Sequence, residues 1–152
     1  MRKIYMFSLK SWKQLGILGF ALISTMSWGH HSAAGYDIES RVAISGKLTK
    51  ASFRNPHGTL KLKIDDKVLN ITTVAEGVVY AGKVGEKWEI ETAAANLLRR
   101  RGWNFKGVKK GQHVILVGHP AKDGSPLIYL REIHMQDGTV YGDPKGKDKA
   151  LD

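Results

Sequence analysis

Three imidazoles carry the most chemistry in this sequence. His30 and His31 are adjacent, and His57 follows a proline in Arg54-Asn55-Pro56-His57-Gly58. Imidazole nitrogens bind copper, nickel and zinc. In a chain that begins at His30, the free α-amino group closes a chelate ring with the first imidazole, and His57 offers a further nitrogen. A chain that begins at Gly29 puts histidine third instead, where deprotonated backbone amides complete a square-planar copper or nickel site. The expected metal ligands are His30, His31 and His57, with copper the expected metal. Two plainer uses compete with this one. Terminal residues often have no fixed place, and Asn-Pro-His-Gly is a turn sequence in which Asn55 bonds to its own backbone. His113, His119 and His134 fall in apolar runs and read as surface or packing residues.

A second constellation is cationic. Arg99, Arg100 and Arg101 precede Trp103, and Arg54 lies in the His57 turn. Guanidinium groups beside an indole offer anion contacts and a stacking face. The competing use has Trp103 filling the core and the arginines in water, because large aromatics dominate small cores. Glu89 and Glu91 share one face of an alternating segment, about 7 Å apart by strand rise. That separation suits an inverting glycosidase, but adjacent acids on a strand face are more often simply solvated. The sequence has no Gly-x-Ser-x-Gly, no His-Glu-x-x-His and no phosphate-binding glycine loop, so no catalytic site is expected.

The positions of His30 and His31 matter because of what precedes them. Arg2, Lys3, Lys10 and Lys13 make a basic leader, Leu15 to Met26 an apolar run, and Ser27-Trp28-Gly29 a small-residue cleavage site. This is the order of a secretory signal peptide over residues 1–29. An uncleaved membrane anchor is the alternative, but a spanning helix needs roughly 20 apolar residues, more than the run supplies. The expected location is therefore periplasmic or secreted, with no stable membrane span after cleavage. Cysteine is absent, which excludes disulfides, zinc–thiolate sites, thiol nucleophiles and lipid attachment through a terminal cysteine. Four of the 24 Lys and Arg and none of the 14 Asp and Glu lie in the leader. Cleavage leaves a net charge of +6. Outside the inner membrane the anions such a chain meets are envelope components such as lipid headgroups and acidic glycans. Nucleic acid is not an expected partner.

The elements that position these residues are mostly strands. Val42 to Phe53 reads as a long first strand in which Gly46 marks a bulge or bend. Leu60-Lys61-Leu62-Lys63-Ile64 alternates strictly, as a half-buried strand does, and Asp65-Asp66-Lys67 turns into a strand over Val68–Val74. The glycine-rich stretch 75–85 is a loop or a short hairpin. Trp88 to Glu91 resumes alternation, and Thr92 caps a short helix that Gly102 ends. His113 to Gly118 and Leu127 to Met135 are two strands joined by a turn at Pro120–Ser125. Residues 143–152 form a disordered polar tail. Strands, one short helix and a final two-strand hairpin are the order of an OB-like barrel with five strands. That barrel is the fold expected over residues 30–142, with an unrelated small β-sandwich as the alternative.

The motifs His30-His31-Ser32, Asn55-Pro56-His57, Leu98-Arg99-Arg100-Arg101-Gly102-Trp103 and the run from Gly111 to Ser125 occur together. In this combination the chain resembles a family of small exported bacterial proteins grouped under a domain of unknown function. It departs from their pattern by extra residues between Ala75 and Gly85 and by one more arginine before Gly102-Trp103. The resemblance implies an exported β-rich domain and brings no established activity. Two functions are expected from the residues: a copper-binding exported protein, or a non-enzymatic module binding an anionic glycan, lipid headgroup or protein partner.

Overall fold

A computed structural model describes residues 33–67, 74 and 77–142. The leader 1–29, His30, His31, all but the last residue of the expected strand Val68–Val74, and the tail 143–152 lie outside the described residues.

Five strands close into a barrel. β1 (Val42–Ser52) pairs with β2 (Gly58–Ile64) on one side and with β5 (His113–Pro120) on the other. The circuit is completed by β4 (Lys87–Thr92) beside β2 and by β6 (Leu127–Met135) between β4 and β5. Only the β4–β6 contact in this circuit is parallel. With α1 (Ala95–Arg100) between the third and fourth barrel strands, this is the expected OB-like arrangement. Two short strands lie outside the circuit. β3 (Val79–Tyr80) runs parallel to the start of β1, and β7 (Val140–Gly142) pairs with β6.

The alternation of the strands sorts the side chains. Ile44, Leu48, Leu60, Leu62, Ile90, Leu116, Ile128 and Ile133 are buried in one core cluster, while Lys47, Lys63, Lys87 and Glu89 point to water. Gly46 does not mark the bulge. The register shift falls later, between Leu48 and Lys50, and Gly46 is needed because a Cβ there would run into the Lys63 carbonyl of β2. The third barrel strand is β4, and the segment 77–85 contributes a parallel edge strand and a turn at Val84–Gly85 rather than a hairpin.

Thr92 does not cap α1. It is buried at the end of β4, and its hydroxyl donates to the Ala93 carbonyl. The helix N-terminus is closed from another part of the chain. Arg54 O accepts from Ala95 N at 3.0 Å, and Asn55 Oδ1 accepts from Asn96 N at 3.1 Å. At the other end Gly102 (φ +86°) allows Gly102 N to bond to Arg99 O and Trp103 N to Leu98 O. This pair of bonds is a Schellman closure, and it reverses the chain just before the buried Trp103.

Candidate functional site

Glu91 is the centre of the strongest polar cluster near His57. It faces outward from β4, opposite Thr59 of β2 and Tyr129 of β6. Tyr36 OH donates to Glu91 Oε2 at 2.7 Å, and His57 Nδ1 lies 3.4 Å from Glu91 Oε1. The Glu91 side chain is only 16% exposed, against 53% for His57. One carboxylate thus joins a buried phenol on one side to an accessible imidazole on the other. The Tyr36 and Tyr129 rings meet at 5.5 Å. Burial, and then the hydrogen bond to Glu91, push the Tyr36 hydroxyl well above the usual phenol range; burial raises Tyr129 as well.

Two devices hold this cluster. The first is the β1–β2 loop, fixed by its bonds to α1, which ends where Gly58 enters β2. A Cβ at Gly58 would meet Thr92 Oγ1 at 2.5 Å and Ser52 O at 2.8 Å, so the chain passes the barrel wall closely and His57 is held beside β4. The second is the segment before β1. Asp37 N bonds to Pro120 O and Lys122 N to Gly35 O, stitching residues 35–37 to the β5–β6 turn with Tyr36 buried between them. Asn55 therefore serves the helix rather than its own turn.

The cationic set is arranged differently. Arg54, Arg99, Arg100 and Arg101 are exposed, with the Arg99 guanidinium 5.4 Å from the centre of the Phe105 ring. Phe105 stacks on Phe53 at 4.0 Å. Trp103 is 8% exposed, belongs to the core cluster and lies 5.8 Å from the Tyr141 ring. The indole is packed in the core while the arginines stand in solvent. Glu89 forms an ion pair with Lys61.

One buried polar group carries no signal in local patterning. Glu132 and His134 are fully buried on the outer side of β6, with His134 Nε2 2.9 Å from Glu132 Oε2 and Arg41 Nη1 3.0 Å from Glu132 Oε1. They lie in register with Val117 and Ile115 of β5, part of a second apolar cluster against which Val74 and Val78 pack. His119 is also buried, its Nδ1 2.8 Å from Ser40 O. Of the expected surface or packing histidines, His113 alone reaches the surface, bonded to Asp65 at 2.7 Å. The spacing of Glu132 and His134 reveals that they share a face. It does not reveal that the face is covered. Among the described residues no three metal-binding side chains converge, and no helix is long and apolar enough to cross a membrane.

Fold and site together define a small OB-like barrel with a carboxylate–imidazole–phenol cluster on its wall. A model of a family of unknown function, DUF6152, matches residues 19–127, and the chain belongs to that family. No curated protein matches the sequence. Among solved structures, a mitochondrial single-stranded DNA binding protein of S. cerevisiae, Rim1, is similar at 11% identity and a TM-score of 0.41, over 63% of this chain and 92% of that one.

Proposed function

We propose that the protein is exported to the periplasm and binds a transition metal, copper before others, through its mature N-terminus, His30, His31 and His57. The observation that carries this reading is the Glu91 cluster. Glu91 faces His57 Nδ1 and leaves Nε2 as the nitrogen for a metal, the arrangement in which a carboxylate orients a ligating imidazole. The same carboxylate accepts from Tyr36, five residues beyond His31. The leader supports export, and export with cleavage creates the α-amino ligand.

The test is a Cu(II) titration of protein produced with its own leader, following the mass and the visible and electron paramagnetic resonance spectra. A mass that begins at His30, one equivalent of bound copper and loss of that binding in His57→Ala support the reading. One extra residue ahead of His30 is expected to change the copper spectrum. A correctly processed protein that binds no copper, or binds it equally well without His57, refutes the site.

A further inference from the structure

Three lysines stand in one row across the barrel wall. Lys47 of β1 is registered with Lys63 of β2, and Lys63 with Lys87 of β4; all three point outward and are exposed. Adjacent strands lie about 4.8 Å apart, so three ammonium groups share about 10 Å of sheet. The next row shows how such charge is normally neutralised. There Lys50 faces Lys61, and Lys61 pairs with Glu89 across the following strand. The Lys47 row has no equivalent acid among the described residues. Among the described residues no carboxylate lies within ion-pair range of the three. Asp65, at the end of β2, is engaged by His113, the residue opposite Lys47 on β5. Like charges directly opposite each other weaken a sheet, and a multivalent anion laid on the row removes that repulsion.

The surroundings identify the anion. Lys47 and Lys63 border a surface hollow of about 320 Å³ that is also lined by Thr49, Ile64, Val84, Gly85 and Asp65, the Asp65 carboxylate being held by His113. Val84, in the turn that follows β3, is 69% exposed. Lysines act as point charges and suit phosphate oxygens without demanding a fixed fork geometry. The row contains no aromatic residue on which a base could stack, as single-stranded nucleic acid requires. Cations beside exposed apolar side chains are the combination that holds a protein on an anionic bilayer. We infer that Lys47, Lys63 and Lys87 are a docking site for the phosphates of an anionic phospholipid surface, with Val84 entering the interface. This site is independent of the metal reading, on different residues and a different part of the wall.

The experiment is sedimentation of the leader-processed protein with vesicles of phosphatidylglycerol and phosphatidylcholine in equal parts. Phosphatidylcholine vesicles and free glycerol phosphate serve as comparisons. The triple variant Lys47→Gln/Lys63→Gln/Lys87→Gln is expected to lose about a hundredfold in partitioning, about fivefold for each lysine at the surface. Its melting temperature should rise as the repulsion is removed. The variant Lys106→Gln/Lys109→Gln/Lys110→Gln removes equal charge from another exposed region and should bind within a factor of about three of wild type, if each distant lysine contributes little. Val84→Ser, which removes the apolar side chain without adding charge, should weaken vesicle binding and leave glycerol phosphate binding unchanged. Equal losses in the two triple variants would show diffuse attraction and overturn the site. Vesicle binding insensitive to Val84→Ser, with glycerol phosphate bound tightly through the same lysines, would overturn the lipid surface in favour of a soluble phosphate.

Discussion

Asn55 Oδ1 accepts the backbone hydrogen of Asn96 at 3.1 Å, so the loop that carries His57 also closes the N-terminus of α1. The helix has no side-chain cap of its own and is only six residues long, too short to hold itself in water. Its order therefore depends on the β1–β2 loop, and the loop's order on the helix. Asn55→Ala should cost about 1 kcal/mol, the usual loss on removing such an acceptor, read as a fall of several degrees in melting temperature. In the metal reading the same change loosens His57 and weakens copper binding, while Asn55→Asp preserves the acceptor and keeps both properties near wild type.

Tyr36 makes stability depend on alkaline pH. Its hydroxyl ionises above the usual phenol range in the folded protein, through burial and then its bond to Glu91. A group whose folded pKa is raised contributes stability that is complete below the unfolded pKa, about 10 for tyrosine. That contribution is lost as pH rises from there through the folded value. Thermal unfolding should therefore show a steep decline in stability beginning near pH 10. Tyr36→Phe should start lower, having lost the hydrogen bond, and decline less steeply. Burial raises Tyr129 and Tyr80 as well, so the variant keeps part of the slope.

Arg41, Glu132 and His134 form a buried polar line on the outer wall of β6. Without Arg41 the buried Glu132 carboxylate keeps His134 at 2.9 Å but loses its guanidinium, and breaking such a pair costs about 3–5 kcal/mol. Arg41→Met should approach the lower end of that range, because the Arg41 side chain is 16% exposed and water can relieve part of the loss. Glu132→Gln, which keeps the shape and a hydrogen-bonding head, should cost less than Arg41→Met. Urea unfolding of the two single variants and the double variant checks this. A double variant no less stable than Arg41→Met alone would show that the penalty comes from the stranded charge.

The barrel is legible in the sequence because its strands alternate. Leu60 to Ile64 and Trp88 to Glu91 assign inside and outside residue by residue, and Leu127–Met135 is a strand at the expected bounds. What the pattern hides depends on contacts between distant segments. Asn55 is a good turn former by itself; that it caps a helix some forty residues on follows only once β2 and β4 pair. Tyr36 has no periodic neighbours that mark it, yet it anchors the chain to Glu91. Glu132 and His134 lie on a face that alternation assigns to solvent, and only Val74 and Val78 packing against the adjoining strands indicate a covered wall. Of the expected metal set, His57 lies in the described barrel, and its partnership with Glu91 had no sequence signal, since Glu91 was legible only as a strand-face acid beside Glu89. The lysine row was visible as alternation in β2 alone. Its continuation into β1 and β4 required the register.

Trp103 and the three arginines before it separate a structural role from a surface one. The indole is packed against Tyr141 within the core cluster, and the Schellman closure at Gly102 directs it there. Removing it leaves a cavity that a six-residue helix cannot collapse to fill, so Trp103→Ala should cost about 3–5 kcal/mol. Trp103→Phe, which keeps an aromatic ring at the site, should cost clearly less. Among the described residues Arg100 and Arg101 have no cation–aromatic contact comparable to that of Arg99 with Phe105. Arg100→Gln and Arg101→Gln should each shift stability by no more than about 0.5 kcal/mol, as exposed substitutions do. Arg99→Gln should cost slightly more, through the lost ring contact of about 0.5–1 kcal/mol at an exposed site. Chemical denaturation of the five variants checks the order, and a Trp103→Ala protein as stable as wild type would mean that the helix and its indole contribute nothing to closing the barrel.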